Sequence, residues 1–193
     1  MSESRIDSSK RTWLIASGCA GAAGGIAVAV PFVSTFQPSE KAKAAGAPVE
    51  VDISALQEGE KMTVEWRGKP VWIVRRTKAQ LAELPALDSQ LADPQSLRKP
   101  DEFTPVYARN EARSIKPEFL VVVGICTHLG CSPTFRPEVA PADLGPDWQG
   151  GYFCPCHGSH YDLAGRVYKA QPAPLNLAVP PHFYESADVL VLG

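Results

Sequence analysis

The sequence has no excess of basic residues and no run of lysine or arginine. Its 193 residues include 19 Lys and Arg against 21 Asp and Glu, a formal net charge of −2. Binding to the phosphates of nucleic acid requires clustered positive charge, so we expect no nucleic-acid partner. Cysteine is also scarce. The whole chain has five cysteines, too few for a disulfide-dense scaffold.

Length and composition limit the fold. A chain of 193 residues accommodates one ordinary domain, or a small domain with an accessory segment. With 45% hydrophobic residues the chain is too apolar to be disordered. Its 18 prolines and 15 glycines favour turns and short strands over a helical bundle. The sequence therefore predicts a mainly β fold with one core.

Charge is absent between Arg11 and Glu40, and residues 13–33 are almost wholly apolar or small. As a helix, this stretch would be about 31 Å long, close to the thickness of the hydrocarbon core of a membrane. A buried helix of a soluble domain would show a polar stripe at helical period, and this stretch has none. The sequence thus predicts a transmembrane anchor over residues 12–36.

The basic residues of the N-terminus set the expected orientation. Arg5, Lys10 and Arg11 precede the apolar stretch, and the positive-inside rule places such residues in the cytoplasm. We therefore expect a single-pass protein of a bacterial inner membrane, with residues 1–11 cytoplasmic and the head domain periplasmic. A cleaved signal peptide ending near Ala45-Gly46-Ala47 is the alternative, although the apolar stretch is longer than a usual signal core.

Residues 37–48 are small and polar, with nothing to anchor a core. As a flexible coil they would span about 20 Å. They are predicted to form a hinge between the anchor and a head domain at residues 49–193. An inert spacer is the alternative.

Several stretches of the head have the apolar, β-branched composition of strands. The predicted strands are Val49–Ile53, Met62–Trp66, Val71–Arg75, Phe119–Ile125, Phe183–Tyr184 and Val189–Leu192. A short helix is predicted over Thr77–Leu84, with Thr77 as its N-cap. Residues 88–117 are polar and interrupted by prolines, and they resist assignment.

Four of the five cysteines lie between residues 126 and 156, together with two histidines. The two segments read Cys126-Thr127-His128-Leu129-Gly130-Cys131 and Cys154-Pro155-Cys156-His157-Gly158-Ser159. In each segment a thiolate and an imidazole can face a common site while the intervening residues turn the backbone. A structural zinc site is the alternative, but such sites commonly pair Cys-x-x-Cys with a later pair of histidines.

These segments resemble the cluster-binding motifs of the Rieske iron–sulfur proteins, and more narrowly those of the iron–sulfur subunits of cytochrome bc complexes, the ubiquinol-cytochrome c reductases. The resemblance rests on residues 126–131 and 154–162, with support from the anchor, the hinge and the proline-rich stretch near residue 172. It implies an antiparallel β head domain whose small cluster-binding subdomain covers about residues 126–175. It also implies one [2Fe-2S] cluster as the cofactor.

The resemblance implies a ligand set for this cluster. Cys126 and Cys154 would bind one iron, and His128 and His157 would bind the other. Neutral imidazoles in place of two thiolates lower the negative charge of such a cluster and raise its reduction potential.

Four further residues of the two segments are given roles by the same resemblance. Cys131 and Cys156 are implied to form a disulfide, which an exported domain permits, and reduced thiols are the alternative. The hydroxyl groups of Ser159 and Tyr161 are implied to donate hydrogen bonds to a cluster sulfur and to a cysteine ligand, which raises the potential further.

The cluster is expected to be covered by apolar and rigid residues. Leu129 would lie beside His128 at an exposed tip, and Pro172 and Pro174 would stiffen a third loop through their fixed φ angles. Gln171 stands where the family often has glycine, so the resemblance does not predict the backbone conformation at this position.

By resemblance, the protein oxidises ubiquinol by one electron, with a coupled proton transfer, and passes the electron to a c-type cytochrome. His157 is the expected quinol contact. The expected partners are a cytochrome b subunit, a cytochrome c-type haem subunit, ubiquinol and membrane lipid, within a dimeric complex. Two alternatives remain: an exported Rieske subunit of another oxidoreductase such as arsenite oxidase, and a zinc-stapled binding module without redox activity.

Overall fold

The computed structural model describes residues 8–39 and 46–193. The chain divides into two compact units, within residues 1–44 and within residues 45–193. Within residues 8–39 the first unit forms the helix α1 (Ser8–Ser34), which has no buried residue. By length and composition α1 can cross a membrane. It begins earlier than the predicted 12–36 span, because Lys10 and Arg11 are good helix formers. Of the predicted hinge, residues 40–45 lie outside the described residues.

The described part of the second unit, residues 46–193, is built from short strands, one α-helix and a few 3₁₀ turns. The strands are β1 (Val49–Asp52), β2 (Lys61–Trp66), β3 (Lys69–Arg75), β4 (Phe119–Val123), β5 (Thr134–Arg136), β6 (Gly151–Cys154), β7 (Ser159–Tyr161), β8 (His182–Tyr184) and β9 (Val189–Leu192). The α-helix is α2 (Lys78–Glu83), and the 3₁₀ turns are Pro85–Gln90, Asp101–Phe103 and Val106–Ala108. Within residues 46–193, the strands form antiparallel sheets of three strands each, in the orders β1-β9-β8, β2-β3-β4 and β5-β6-β7. The predicted mainly β class is therefore confirmed.

The sheet β2-β3-β4, here called the middle sheet, is buried on both faces along β3 and β4. Successive side chains of a strand point to opposite faces, so Val71 and Ile73 of β3 pack towards β1 and β9 while Trp72 and Val74 pack on the other side. The second group lies in one cluster with Cys126 and Cys154. The single core expected from chain length is thus divided into two large layers and a small third cluster around Leu84 and Leu163, and one of the large layers carries the sulfur atoms of the site.

Most of the predicted elements are present with shifted ends. The strand predicted over Phe119–Ile125 stops at Val123. The next residue is Gly124, where a Cβ atom would lie 2.2 Å from the ring of Trp72, so the chain needs glycine there. The predicted N-cap of α2 is confirmed: the Thr77 hydroxyl accepts a hydrogen bond from the Gln80 amide at 3.2 Å.

Strands β5, β6 and β7 were not predicted. Each has only three or four residues, and β6 and β7 contain cysteine and histidine rather than a β-branched run. Their identity as strands depends on pairing, with Cys154 opposite Ser159 and Thr134 opposite Phe153. The sheet places the second Cys/His segment at the turn of a hairpin.

The segment that resisted assignment is held by buried arginines. Arg113 is fully buried, and its guanidinium donates to the carbonyls of Ala164 at 3.0 Å and Leu177 at 2.7 Å. Burial lowers the pKa of Arg113 to about 10, so the group stays charged at neutral pH. One side chain thereby joins residues 88–117 to the segments that support the site.

Candidate metal centre

The first Cys/His segment follows β4 and folds into a closed loop. The Cys126 amide donates to the carbonyl of Cys131 at 2.7 Å, and the Gly130 amide donates to the carbonyl of Cys126 at 3.1 Å. Gly130 has a φ of +84°, a conformation that disfavours residues with a Cβ atom. These bonds close the loop that carries Cys126 and His128 just after the end of β4.

The second segment is the β6–β7 hairpin loop. The Gly158 amide donates to the Cys154 carbonyl at 2.9 Å, and Gly158 has a φ of +77°. The turn presents Cys154 at the end of β6, followed by His157.

A disulfide between Cys131 and Cys156 ties the two loops together, with 6.6 Å between the Cα atoms. The predicted pairing is confirmed. The sulfur atoms of Cys131, Cys154 and Cys156 lie within 4.8 Å of one another. Because two of these three are oxidised, they do not form a three-thiolate site, and Cys154 is left as the thiol beside the bond.

The two remaining thiols of the head domain, Cys126 and Cys154, are buried, with 3% and 1% of their surface exposed. Burial raises the pKa of the Cys154 thiol, and the neighbouring Cys126 sulfur raises it further. The buried Cys154 thiol therefore disfavours its thiolate form in isolation, and a bound metal cation would compensate for that charge. The pair is therefore suited to a metal ligand role.

The two histidines lie side by side on the outer part of the site. The ring centroids of His128 and His157 are 4.6 Å apart, and the ring planes cross at 85°. The His157 ring is exposed and the His128 ring is half-buried. The Nδ1 atom of His128 is buried without a hydrogen-bond partner among the described residues, as expected for a nitrogen that accepts a metal ion.

Tyr161 contacts the first ligand loop directly. Its hydroxyl lies 3.1 Å from the Cys126 sulfur and accepts a hydrogen bond from the Thr127 amide at 3.2 Å. Since the amide occupies an acceptor position on the oxygen, the phenolic proton is available to the Cys126 sulfur or to the Thr127 hydroxyl oxygen at 3.3 Å. Burial, together with the Cys126 sulfur, raises the pKa of Tyr161 and keeps the phenol protonated.

Ser159 is fully buried and touches the proline-rich segment. Its hydroxyl oxygen accepts a hydrogen bond from the amide of Ala173 at 3.1 Å. Pro172 and Pro174 flank this buried alanine and are themselves exposed. Gln171 accepts a hydrogen bond from the His160 amide at 3.1 Å through its side-chain oxygen, a contact that glycine could not make.

The structure brings the two Cys/His segments together as loops joined by the disulfide, with Ser159 and Tyr161 on β7, the two prolines in a third loop and Leu129 on the surface at 71% exposure. Sequence reasoning missed Thr127, whose hydroxyl donates to the Leu175 carbonyl at 2.6 Å. The sequence feature that could have identified Thr127 is its position between Cys126 and His128. Two buried thiols and two outward imidazoles on facing loops of a β domain define a metalloprotein of the mixed cysteine and histidine class.

Comparison with known proteins identifies the class more closely. Residues 48–181 match the family described as "Rieske [2Fe-2S] domain". The chain is 53% identical over 184 residues to the ubiquinol-cytochrome c reductase iron-sulfur subunit of Allochromatium vinosum, covering 95% of this chain and 87% of that protein. It is 44% identical over 180 residues to the protein of the same name from Bradyrhizobium diazoefficiens, covering 93% and 90%. A chain of the solved structure "Hyperthermophilic respiratory Complex III" aligns with a TM-score of 0.50 and 28% identity, covering 91% of this chain and 97% of that one.

The chain belongs to the Rieske iron–sulfur proteins, in the family of ubiquinol-cytochrome c reductase iron–sulfur subunits. It accordingly carries one Rieske-type [2Fe-2S] cluster as its cofactor. The buried thiols and the unpartnered His128 nitrogen fit this group.

Proposed function

We propose that this protein is the iron–sulfur subunit of a respiratory cytochrome bc complex, taking one electron from ubiquinol and passing it to a c-type cytochrome. The observation that carries the proposal is the arrangement of the two loops: buried sulfurs inside, and a histidine ring exposed outside. The relatives named as ubiquinol-cytochrome c reductase subunits, which match almost the whole chain, support it.

In this proposal Cys126 and Cys154 hold one iron, and His128 and His157 hold the other. When bound, the [2Fe-2S] cluster accepts and releases a single electron, at a potential raised by its two neutral ligands. The protein encloses the sulfur side among apolar side chains such as Tyr152. Only the imidazole side is then open to a reaction partner.

Tyr161 and Ser159 tune the potential by donating hydrogen bonds. The 3.1 Å contact between the Tyr161 hydroxyl and the Cys126 sulfur supports this role. For Ser159, the Ala173 amide already occupies an acceptor position of the hydroxyl oxygen, so the hydroxyl proton is free to point at a cluster sulfur. Both bonds strengthen as negative charge accumulates on sulfur, which favours the reduced state.

His157 is the proposed contact for quinol. A ring that gives one nitrogen to iron retains a second nitrogen, which receives the proton as quinol gives up its electron. The exposure of His157 supports this assignment. Leu129, exposed next to His128 in the chain, and the prolines 172 and 174 would keep bulk water from the cluster edge.

The remaining parts of the proposal concern location and assembly. α1 would anchor the protein in the bacterial inner membrane with its N-terminus cytoplasmic, in contact with lipid. The head domain would meet a cytochrome b subunit at the quinol site and then a cytochrome c-type haem subunit, within a dimeric complex. Residues 37–48 would form the hinge that permits both encounters.

The test is an electron paramagnetic resonance spectrum of reduced membranes that contain the whole complex. We expect a Rieske-type signal that changes when an inhibitor of the quinol site is added. A Rieske-type signal that does not change when the inhibitor is added would favour the Rieske subunit of another oxidoreductase, such as arsenite oxidase. A colourless protein with stoichiometric zinc would indicate the binding module instead.

A further inference from the structure

The proline-rich loop, residues 171–176, is attached to both ligand loops. The Ala173 amide donates to the Ser159 hydroxyl at 3.1 Å, and the Thr127 hydroxyl donates to the Leu175 carbonyl at 2.6 Å. Proline fixes φ only at its own position. The placement of the loop as a whole therefore depends on contacts with other segments.

A turn formed by residues 93–98, here called the brace turn, supplies one of these contacts. The Asp93 carboxylate closes the turn by accepting hydrogen bonds from the amides of Leu97 at 2.9 Å and Arg98 at 3.0 Å. From this closed turn the Arg98 guanidinium reaches the Pro174 carbonyl at 2.9 Å. The contact joins residues 76 positions apart in the sequence.

Asn176 supplies the second contact from within the loop. Its side-chain nitrogen donates to the Asp93 carbonyl at 2.9 Å and to the Ser96 hydroxyl at 3.0 Å. Its side-chain oxygen accepts a hydrogen bond from the Val167 amide at 2.9 Å. Asn176 is 5% exposed, and a satisfied polar network away from water holds its members firmly.

We propose that the brace turn fixes the proline-rich loop over the cluster, and that Arg98 and Asn176 are positioning residues for its redox chemistry. This inference rests on the proposed function, because it assigns to Ser159 a hydrogen bond to the cluster. The connection runs from Arg98 to the Pro174 carbonyl, through the adjacent Ala173 amide, to the Ser159 hydroxyl. While the Ala173 amide donates to the Ser159 oxygen from one side, the Ser159 hydroxyl proton points to the opposite side, towards the cluster. A loosened loop frees the hydroxyl to rotate, and the reduced state loses a donor.

The test compares Arg98→Met with Arg98→Lys in the intact membrane complex. Arg98 is exposed, so the fold tolerates the change. In Arg98→Met we expect the amides of Ala173, Leu175 and Asn176 to exchange hydrogen about fivefold faster, the factor that one net hydrogen bond is worth. We also expect a lower reduction potential. Arg98→Lys, which keeps a donor and the charge, is expected to restore most of both values.

Lys116→Met is the matched control. Its ammonium group donates to the Ala187 carbonyl at 2.9 Å in an exposed hydrogen bond between distant residues, and it lies 4.0 Å from the centre of the Tyr184 ring, outside the loops of the site. It should change neither the exchange of the loop amides nor the potential. Asn176→Ala is the stronger variant, since it leaves the Val167 amide without its hydrogen-bond acceptor. If Asn176→Ala does not fold, the comparison of Arg98→Met with Arg98→Lys alone tests whether the brace turn positions the loop.

Two results would overturn the inference. Wild-type exchange of the loop amides in Arg98→Met would show that the turn does not hold the loop. Faster exchange with an unchanged potential would show that the loop does not position Ser159. Failure of the proposed function would appear separately, as the absence of an inhibitor-sensitive Rieske signal in wild-type membranes.

Discussion

The hydroxyl of Tyr161 lies 3.1 Å from the sulfur of Cys126, although the two residues are 35 positions apart. The contact exists because β7 ends at Tyr161 beside the loop that follows β4, and because both residues belong to one buried layer. The Thr127 amide donates to the same hydroxyl, so the phenolic proton is left for the sulfur or for the Thr127 hydroxyl oxygen at 3.3 Å. The contact therefore depends on β7 and the loop after β4 keeping their relative positions.

Removal of this hydroxyl is predicted to lower the reduction potential while the cluster is retained. A hydrogen bond to a charged group is worth about 1.5 to 3 kcal/mol. For a one-electron couple 59 mV corresponds to roughly 1.4 kcal/mol, so Tyr161→Phe should shift the potential by about 60 to 130 mV at most. Redox titration followed by the cluster spectrum measures the shift.

Tyr168→Phe is the control for this variant. The Tyr168 hydroxyl is buried but has no hydrogen-bond partner among the described residues, so its removal should leave the potential unchanged. Ser159→Ala should behave like Tyr161→Phe. Unshifted potentials in both Ser159→Ala and Tyr161→Phe would contradict the tuning role.

The ligand set predicts loss of the cluster when any of its members is changed to alanine. The residues concerned are Cys126, His128, Cys154 and His157. In the proposed ligand set each would fill a coordination position that alanine leaves empty, and the measurement is iron content together with the visible spectrum. His160→Phe serves as control, since His160 packs among the rings of Trp148 and Phe153. An unaltered cluster spectrum in His157→Ala would remove His157 from the set.

The disulfide is predicted to stabilise the head domain as well as the cluster. Closing a loop of 25 residues contributes about 3 kcal/mol in the chain-entropy description. The double variant Cys131→Ser, Cys156→Ser should therefore unfold at a lower urea concentration and lose its cluster sooner. Cys19→Ser, which changes the cysteine of α1, is the control. Equal urea midpoints for the wild type and the double variant would contradict the prediction.

His182 is predicted to make the head domain less stable at acid pH. Its Nδ1 donates to the Pro180 carbonyl at 2.8 Å, while its Nε2 is buried with no partner among the described residues. Burial lowers the pKa of His182 below its ordinary value of 6.5, and the rings of Tyr107 and Tyr184 that face it provide no negative charge.

The unfolded chain therefore takes up a proton at His182 before the folded chain does. This contribution to stability is complete above the unfolded-state pKa and is lost as the pH falls through about 6.5 and below. In His182→Phe, the urea midpoint should depend less steeply on pH between about 7 and 5. Parallel pH profiles for the variant and the wild type would exclude the effect.

The hinge prediction separates electron transfer to the cluster from movement of the head. Proline substitutions within residues 41–46 should slow quinol:cytochrome c turnover, because fixed φ angles restrict the directions open to the head. The spectrum and potential of the cluster should stay as in the wild type. Turnover is measured in membranes and normalised to cluster content. Normal turnover with a demonstrably rigid hinge would contradict a mobile head.

Local patterns of the sequence were enough to predict several features. The missing charges between Arg11 and Glu40 predict the apolar helix, because helix length and apolar composition depend on neighbouring residues alone. The two Cys/His segments predict the metal site for the same reason, since each ligand pair lies within one short loop. Strands β3 and β4 were predicted because their apolar runs are continuous.

Other features were decided only by the tertiary structure. The burial of Cys126 and Cys154 beside an exposed His157 depends on the face of the middle sheet against which the loops pack. Strands β5 to β7 exist through pairing rather than composition. Residues 88–117 have no regular pattern, because buried side chains such as Arg113 hold them to distant carbonyls. Ligand chemistry and spacing are local, so the sequence predicts that the two Cys/His segments can bind a metal. The fold alone decided what surrounds them, because hydrogen bonds between residues tens of positions apart form only when the sheets have brought those residues together.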